Sequence, residues 1–138
     1  MQSALAQQIE KLALVKKLRF DRMMRVQTSA ASKLNRSIEE LAERERTQVS
    51  LENAESQIRG NFLATTRSDP QDMAYHRYLV AELTSHACVV DLSHKSVNDA
   101  KVELKTAKQN TNSALRRVKK MTKVQEAHKH SEAEALDD

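Results

Sequence analysis

The chain has 138 residues, a formal net charge of +4 and 30% charged residues, with no Trp, two Phe, two Tyr and one Gly. Too few large apolar side chains exclude a compact core with a deep pocket, and too few turn residues exclude a sheet. One domain of long helices with a thin apolar seam remains, and periodicity favours it over disorder.

The N-terminus, MQSALAQQIEKLALVKKLRF, has polar residues every few positions and no continuous apolar run. It reads as neither a signal peptide nor a membrane span, which predicts a soluble, cytoplasmic protein without membrane insertion. The lone Cys88 allows no internal disulfide, fits a reducing compartment, and is expected to fill space near the seam.

The first helix is expected over about 3–65, since no proline interrupts residues 1–67. Leu5, Ile9, Leu12, Lys16, Arg19, Met23, Val26 and Ala30 share one frame. Leu34, Ile38 and Leu41 follow after an extra step of four, and Leu51, Ile58 and Phe62 finish. Such a discontinuity relaxes a supercoil locally without ending the helix. Phe62 and Leu63 read as seam residues, so the helix is carried past Gly60.

A turn is expected over about 66–69, within Thr65-Thr66-Arg67-Ser68-Asp69. Asp69 reads as the N-cap of the second helix, and Pro70 stands at its first position, where a missing N–H costs nothing. Asp72 adds a carboxylate at the positive end of the dipole.

The second helix is expected over about 70–133. Steps of three and four from His76 give Leu79, Leu83, His86, Val90, Ser93, Val97, Ala100, Leu104, Ala107, Thr111, Ala114, Val118, Met121 and Gln125, with no slip of frame. This is a heptad seam whose small residues permit close approach. Two helices of about 60 residues joined by a short turn must run antiparallel, each spanning roughly 90–100 Å. The predicted fold is all-α, an antiparallel coiled-coil hairpin forming a single rod.

A rod offers no concave site, so an enzyme is not expected, and no cofactor with it. There is no Gly-rich phosphate loop, Cys pair or HExxH. His128 and His130 stand two residues apart on different faces, poor metal geometry. Glu39-Glu40 and Glu43 with Glu45 read as a solvated face.

Charge is more informative. Lys16, Lys17, Arg19, Arg22 and Arg25 form one basic group; Lys101, Lys105, Lys108, Arg116, Arg117, Lys119, Lys120 and Lys123 form another. In a hairpin turning near 69, residue n faces about 138 minus n, so 16–25 would lie against 113–122. The two groups then converge beside the termini, where an acidic partner is implied. Leu14 and Leu18 fall behind the seam beside these cations. They read as a contact surface, or as a bed for a fold-back of the tail, residues 132–138. Past the turn, Tyr75 and Tyr78 are the only tyrosines; they either cap the hairpin tip or recognise a partner.

The hairpin layout, Tyr75-x-x-Tyr78-Leu79 and the tail 132-EAEALDD-138 resemble the FliJ/YscO/HrpO family, central stalk proteins of flagellar and virulence type III secretion. Glu132, Leu136 and Asp137 match a family tail of the form E-Q-K-E-L-D-E; Asp138 is a conservative change, and Ala133, Glu134 and Ala135 depart from it. The resemblance implies a coupling protein that activates the secretion ATPase hexamer and links it to the export gate. Leu14, Lys16, Lys17, Leu18, Arg19, Arg22 and Arg25, with Arg116, Arg117, Lys119, Lys120 and Lys123, would meet the ATPase. Tyr75, Tyr78, Leu79 and Glu82 would meet the cytoplasmic domain of the gate. Family members are also linked to export chaperones, on which these residues are silent.

Two other readings compete. The basic helix faces suit a nucleic-acid binder, but acids are interleaved elsewhere and the net charge is only +4; no nucleic-acid partner is expected. A generic dimeric scaffold is the other, against which an antiparallel hairpin can stand as a monomer.

Overall fold

The computed structural model describes residues 3–64 and 69–137. The expected connection at Thr65–Ser68 lies outside the described residues, as does Asp138. The fold is all-α: helix α1 spans Ala4–Ala64 and helix α2 spans Pro70–Asp137, packed antiparallel as a hairpin. The acidic tail expected to leave the helix near 133, and offered as a fold-back onto Leu14 and Leu18, instead continues α2.

Both helix starts have side-chain caps. Ser3 Oγ accepts the Ala6 N–H at 3.1 Å, and Asp69 Oδ1 accepts the Gln71 N–H at 2.9 Å. The Asp69 carbonyl accepts from Met73 N–H at 3.0 Å, and Pro70 occupies the position where no N–H is needed.

Burial along α2 follows the expected frame. Every seam position from His76 to Gln125 is buried or half-buried, and His128 continues the series. Between His76 and Gln125 only Val89 and Leu115 are otherwise covered. Cys88, placed near the seam by sequence, is exposed on the outer face.

The α1 frame requires correction. Leu5, Leu12 and Val26 stand 55%, 48% and 47% exposed, and Arg19 and Ile38 are exposed as well. Apart from the half-buried flanking residues Ala31, Ala42 and Ala54, the covered residues are Ala6, Ile9, Ala13, Lys16, Phe20, Met23, Gln27, Ala30, Leu34, Ser37 and Leu41, then Gln48, Leu51, Glu55, Ile58 and Phe62. Their three–four spacing has no extra step, so no discontinuity exists; only Arg44 on this frame is exposed. Leu63, expected on the seam, is among the most exposed residues. α2 brings Ser93, Ala100, Ala107 and Ala114 to the seam at seven-residue intervals, which leaves space for the larger α1 residues Phe20, Leu34 and Leu41; large residues on both sides would hold the backbones apart.

The described contacts fall into two compact units. In Met1–Ser32 with Val102–Asp138, Ala30, Ala107, Thr111, Ala114 and Met121 form the buried centre. Ser3 Oγ lies 3.5 Å from Glu132 Oε1, and Thr111 Oγ1 donates to the Met23 carbonyl at 3.2 Å. Met23 therefore faces a residue four positions before the 115 expected from a fold at 69.

In Lys33–Lys101, Leu79, Val97 and Ala100 are buried with Ser93. His86 Nε2–H donates to the Arg44 carbonyl at 2.7 Å, so an imidazole occupies the interval where the α1 frame offers no apolar side chain. His76 Nε2 contacts Glu55 Oε1 at 3.1 Å, and its ring meets Phe62 edge-on, centroids 5.5 Å apart. These two seam histidines are thus held by specific partners, which is how a thin seam accommodates half-buried polar rings.

Candidate functional interfaces

Labelling the seam positions a and d of each heptad assigns every other residue to a flank or to the outer back. Ala6, Ala13 and Phe20 are a positions in α1; Thr111, Val118 and Gln125 are a positions in α2. On one side lie the e and b positions, on the other the g and c positions, and f points away from the seam.

The twelve residues assigned by sequence to an ATPase contact all belong to the unit formed by Met1–Ser32 and Val102–Asp138. They do not form one patch. Arg19 and Arg22 from α1 and Arg117 from α2 line a shallow groove of about 420 Å³ with Met23, Asn110, Ser113 and Ala114. Lys120, one position c beyond Ser113, belongs to the same flank. On the opposite flank, Leu14 and Lys17 line a groove of about 260 Å³ with Glu10, Val118, Met121 and Thr122. Lys119 is also on that side. Leu18, Arg25, Arg116 and Lys123 occupy f positions and are exposed. Lys16 is half-buried on the seam itself, where its alkyl stem covers apolar surface.

Sequence reasoning thus identified cations that do converge from two distant segments, but treated three faces as one. It also missed part of the arginine flank. Leu5, Leu12 and Val26 were read as seam because their seven-residue spacing with Arg19 imitates one. Position by position, that row is g.

In the unit Lys33–Lys101, Tyr75 and Tyr78 stack at 6.3 Å between centroids with planes 19° apart. They remain 46% and 57% exposed, and Glu82 is exposed on the same flank. Leu79, grouped with them by sequence, is 2% exposed, the most deeply buried large side chain described. The d position directs Leu79 into the seam, so it supports this surface from beneath and is not available to touch a partner.

Of the remaining histidines, two form surface pairs. His94 Nε2 lies 3.3 Å from Glu45 Oε1, and His130 Nε2 lies 3.2 Å from Glu134 Oε1. His128 is half-buried, its Nε2 3.0 Å from Glu132 Oε1 but without the alignment of a hydrogen bond. Among the described residues no group of three His, Cys, Asp or Glu is arranged to hold a metal, and no helix is long and apolar enough to cross a membrane.

Comparison of the chain with protein-family models, with curated proteins and with solved structures finds no match.

Proposed function

We propose that the chain is a non-enzymatic coupling stalk of a type III secretion apparatus, acting in the cytoplasm on the secretion ATPase hexamer and on the cytoplasmic domain of the export gate. The reading rests on the resemblance to the FliJ/YscO/HrpO family, carried by the hairpin layout, Tyr75-x-x-Tyr78-Leu79 and the matching tail positions. The observation that best supports it is the groove shared by Arg19, Arg22 and Arg117, which gathers cations from both helices into the unit that holds both termini. Such a cluster attracts an acidic surface and orients its approach. In this reading Leu14 and Lys17 make a second contact with the ring on the opposite flank. Tyr75, Tyr78 and Glu82 form the gate-facing surface, and Leu79 fixes the helix on which they stand.

The test is hydrolysis by the secretion ATPase of the same genome, assembled as hexamer, with and without the chain. Stimulation is expected from the natural sequence. Replacing Arg19, Arg22 and Arg117 together with Glu is expected to remove it, whereas Val102→Ser, on an exposed f position, leaves it. Stimulation that survives the triple charge reversal sinks the assignment of this groove; no stimulation by the natural chain sinks the stalk reading.

A further inference from the structure

The g and c flank of the unit formed by Met1–Ser32 and Val102–Asp138 has the pattern of a second seam. Along α1 the g positions are Leu5, Leu12, Arg19 and Val26, a complete run of heptad spacing lying beside the seam. Val15 and Val124 join it from α1 c and α2 g. All five apolar side chains are at least two-fifths exposed. A helix apolar at a, d and g has two sticky faces, and α2 covers only one of them.

Between Glu103 and Glu134, which stand on this flank nearer its two ends, its charged residues are all basic. Arg19, Arg22, Arg117 and Lys120 are exposed on it. From residue 5 to 29 of α1 and from 106 to 131 of α2, the g and c positions include no Asp or Glu. The other flank differs: there Glu10, Asp21 and Glu126 stand among the lysines. Placing Arg19 and Arg117 on one groove opposes the hairpin, since like charges across a coiled-coil flank repel. Carboxylates from outside would relieve that repulsion while apolar residues one or two turns away covered Leu12, Val26 and Val124. A second copy docked through this same patch would meet the arginines with arginines.

We propose that this flank docks one amphipathic α-helix of a partner protein, apolar at heptad spacing and carrying Asp or Glu where it crosses Arg19 and Arg117, to complete a local three-helix coiled coil. The inference goes beyond the ring contact proposed above and does not need it, because it rests on the unpaired g row and not on the family resemblance.

The experiment uses the full chain and a fluorescent 28-residue designed helix, Leu at a and d and Glu at the flanking positions, against the same helix with Lys for Glu. Binding is read by anisotropy, and circular dichroism checks that each variant keeps its helicity. The acidic helix is expected to bind roughly tenfold more tightly than the basic one, and less tightly as salt is raised. Leu12→Ser with Val26→Ser, and separately Arg19→Glu with Arg117→Glu, should each weaken it by roughly tenfold or more, while Val102→Ser changes nothing. Failure to bind, equal binding of the two helices, or binding indifferent to the Leu12 and Val26 changes overturns the proposal. So does a concentration-dependent dimer in sedimentation that the Leu12→Ser, Val26→Ser variant abolishes, for the occupant is then a second copy. None of these outcomes involves the ATPase, so this proposal and the stalk reading can fail separately.

Discussion

Thr111 shares its hydroxyl between two carbonyls on different helices, that of Ala107 at 2.9 Å in its own turn and that of Met23 at 3.2 Å across the seam. A two-carbon side chain can reach a main-chain oxygen of the facing helix only if the backbones lie close. Ala107 and Ala114, one turn either side, are the reason they can. Enlarging Ala107 to Leu should therefore force the helices apart and cost about 1–3 kcal/mol by overpacking, seen as a lower urea midpoint. An unchanged midpoint would mean that the seam there has room to spare and that the packing account is mistaken.

Leu79 and Tyr78 are neighbours with opposite tasks. Truncating Leu79 to Ala removes a buried side chain from the seam and should cost about 2–5 kcal/mol. Truncating the exposed Tyr78 should stay within about 0.5 kcal/mol, since its ring loses mainly the stack with Tyr75. Thermal melts of the two variants would separate the roles, and a Tyr78→Ala variant as damaged as Leu79→Ala would place the tyrosine in the core.

How legible these faces are in sequence differs between the helices for a physical reason. In α2 the large apolar residues near the turn, Leu79, Leu83 and Val90, share the frame of the small ones further on, so following either finds the seam. In α1 the two disagree. Leu5, Leu12 and Val26 outrank Ala6, Ala13 and Gln27 in hydrophobicity, yet the second set is covered, because Ala6 and Ala13 sit against large α2 side chains, Gln125 with His128 and Val118 with Met121, which leave room for little more than a methyl. Transfer free energy favours burying the leucines, and hydropathy alone cannot see that the available gap is narrow. The apparent extra step near Leu34 came from leaving the g row and joining the true frame. The basic groups were legible as charge, but their division between flanks depended on that frame and so was not.

Gly60 offers a cleaner test of local structure. It sits inside α1 with no positive φ, and a Cβ placed on it would meet nothing within 4 Å. Gly60→Ala should thus stabilise the chain by about 0.4–1 kcal/mol, chiefly by narrowing the unfolded ensemble. A higher melting temperature with unchanged helicity is the expected result. Destabilisation would show that the backbone at 60 departs from helix.

The cap at Asp69 makes the start of α2 independent of what precedes it. Its carboxylate accepts the Gln71 N–H, its carbonyl takes that of Met73, and Pro70 lacks the donor that would otherwise be stranded. Asp69→Ala should cost about 0.5–2 kcal/mol, and Asp69→Asn or Asp69→Ser much less, since either keeps an oxygen for the same N–H. The carboxylate also faces the positive end of the dipole with Asp72 one turn on, so Asn should recover a little less than Asp at low salt and converge with it as salt rises. Hydrogen exchange at Gln71 and Met73 would localise the loss: protection should fall there first in Asp69→Ala and remain near Leu79, where the seam and not the cap holds the helix.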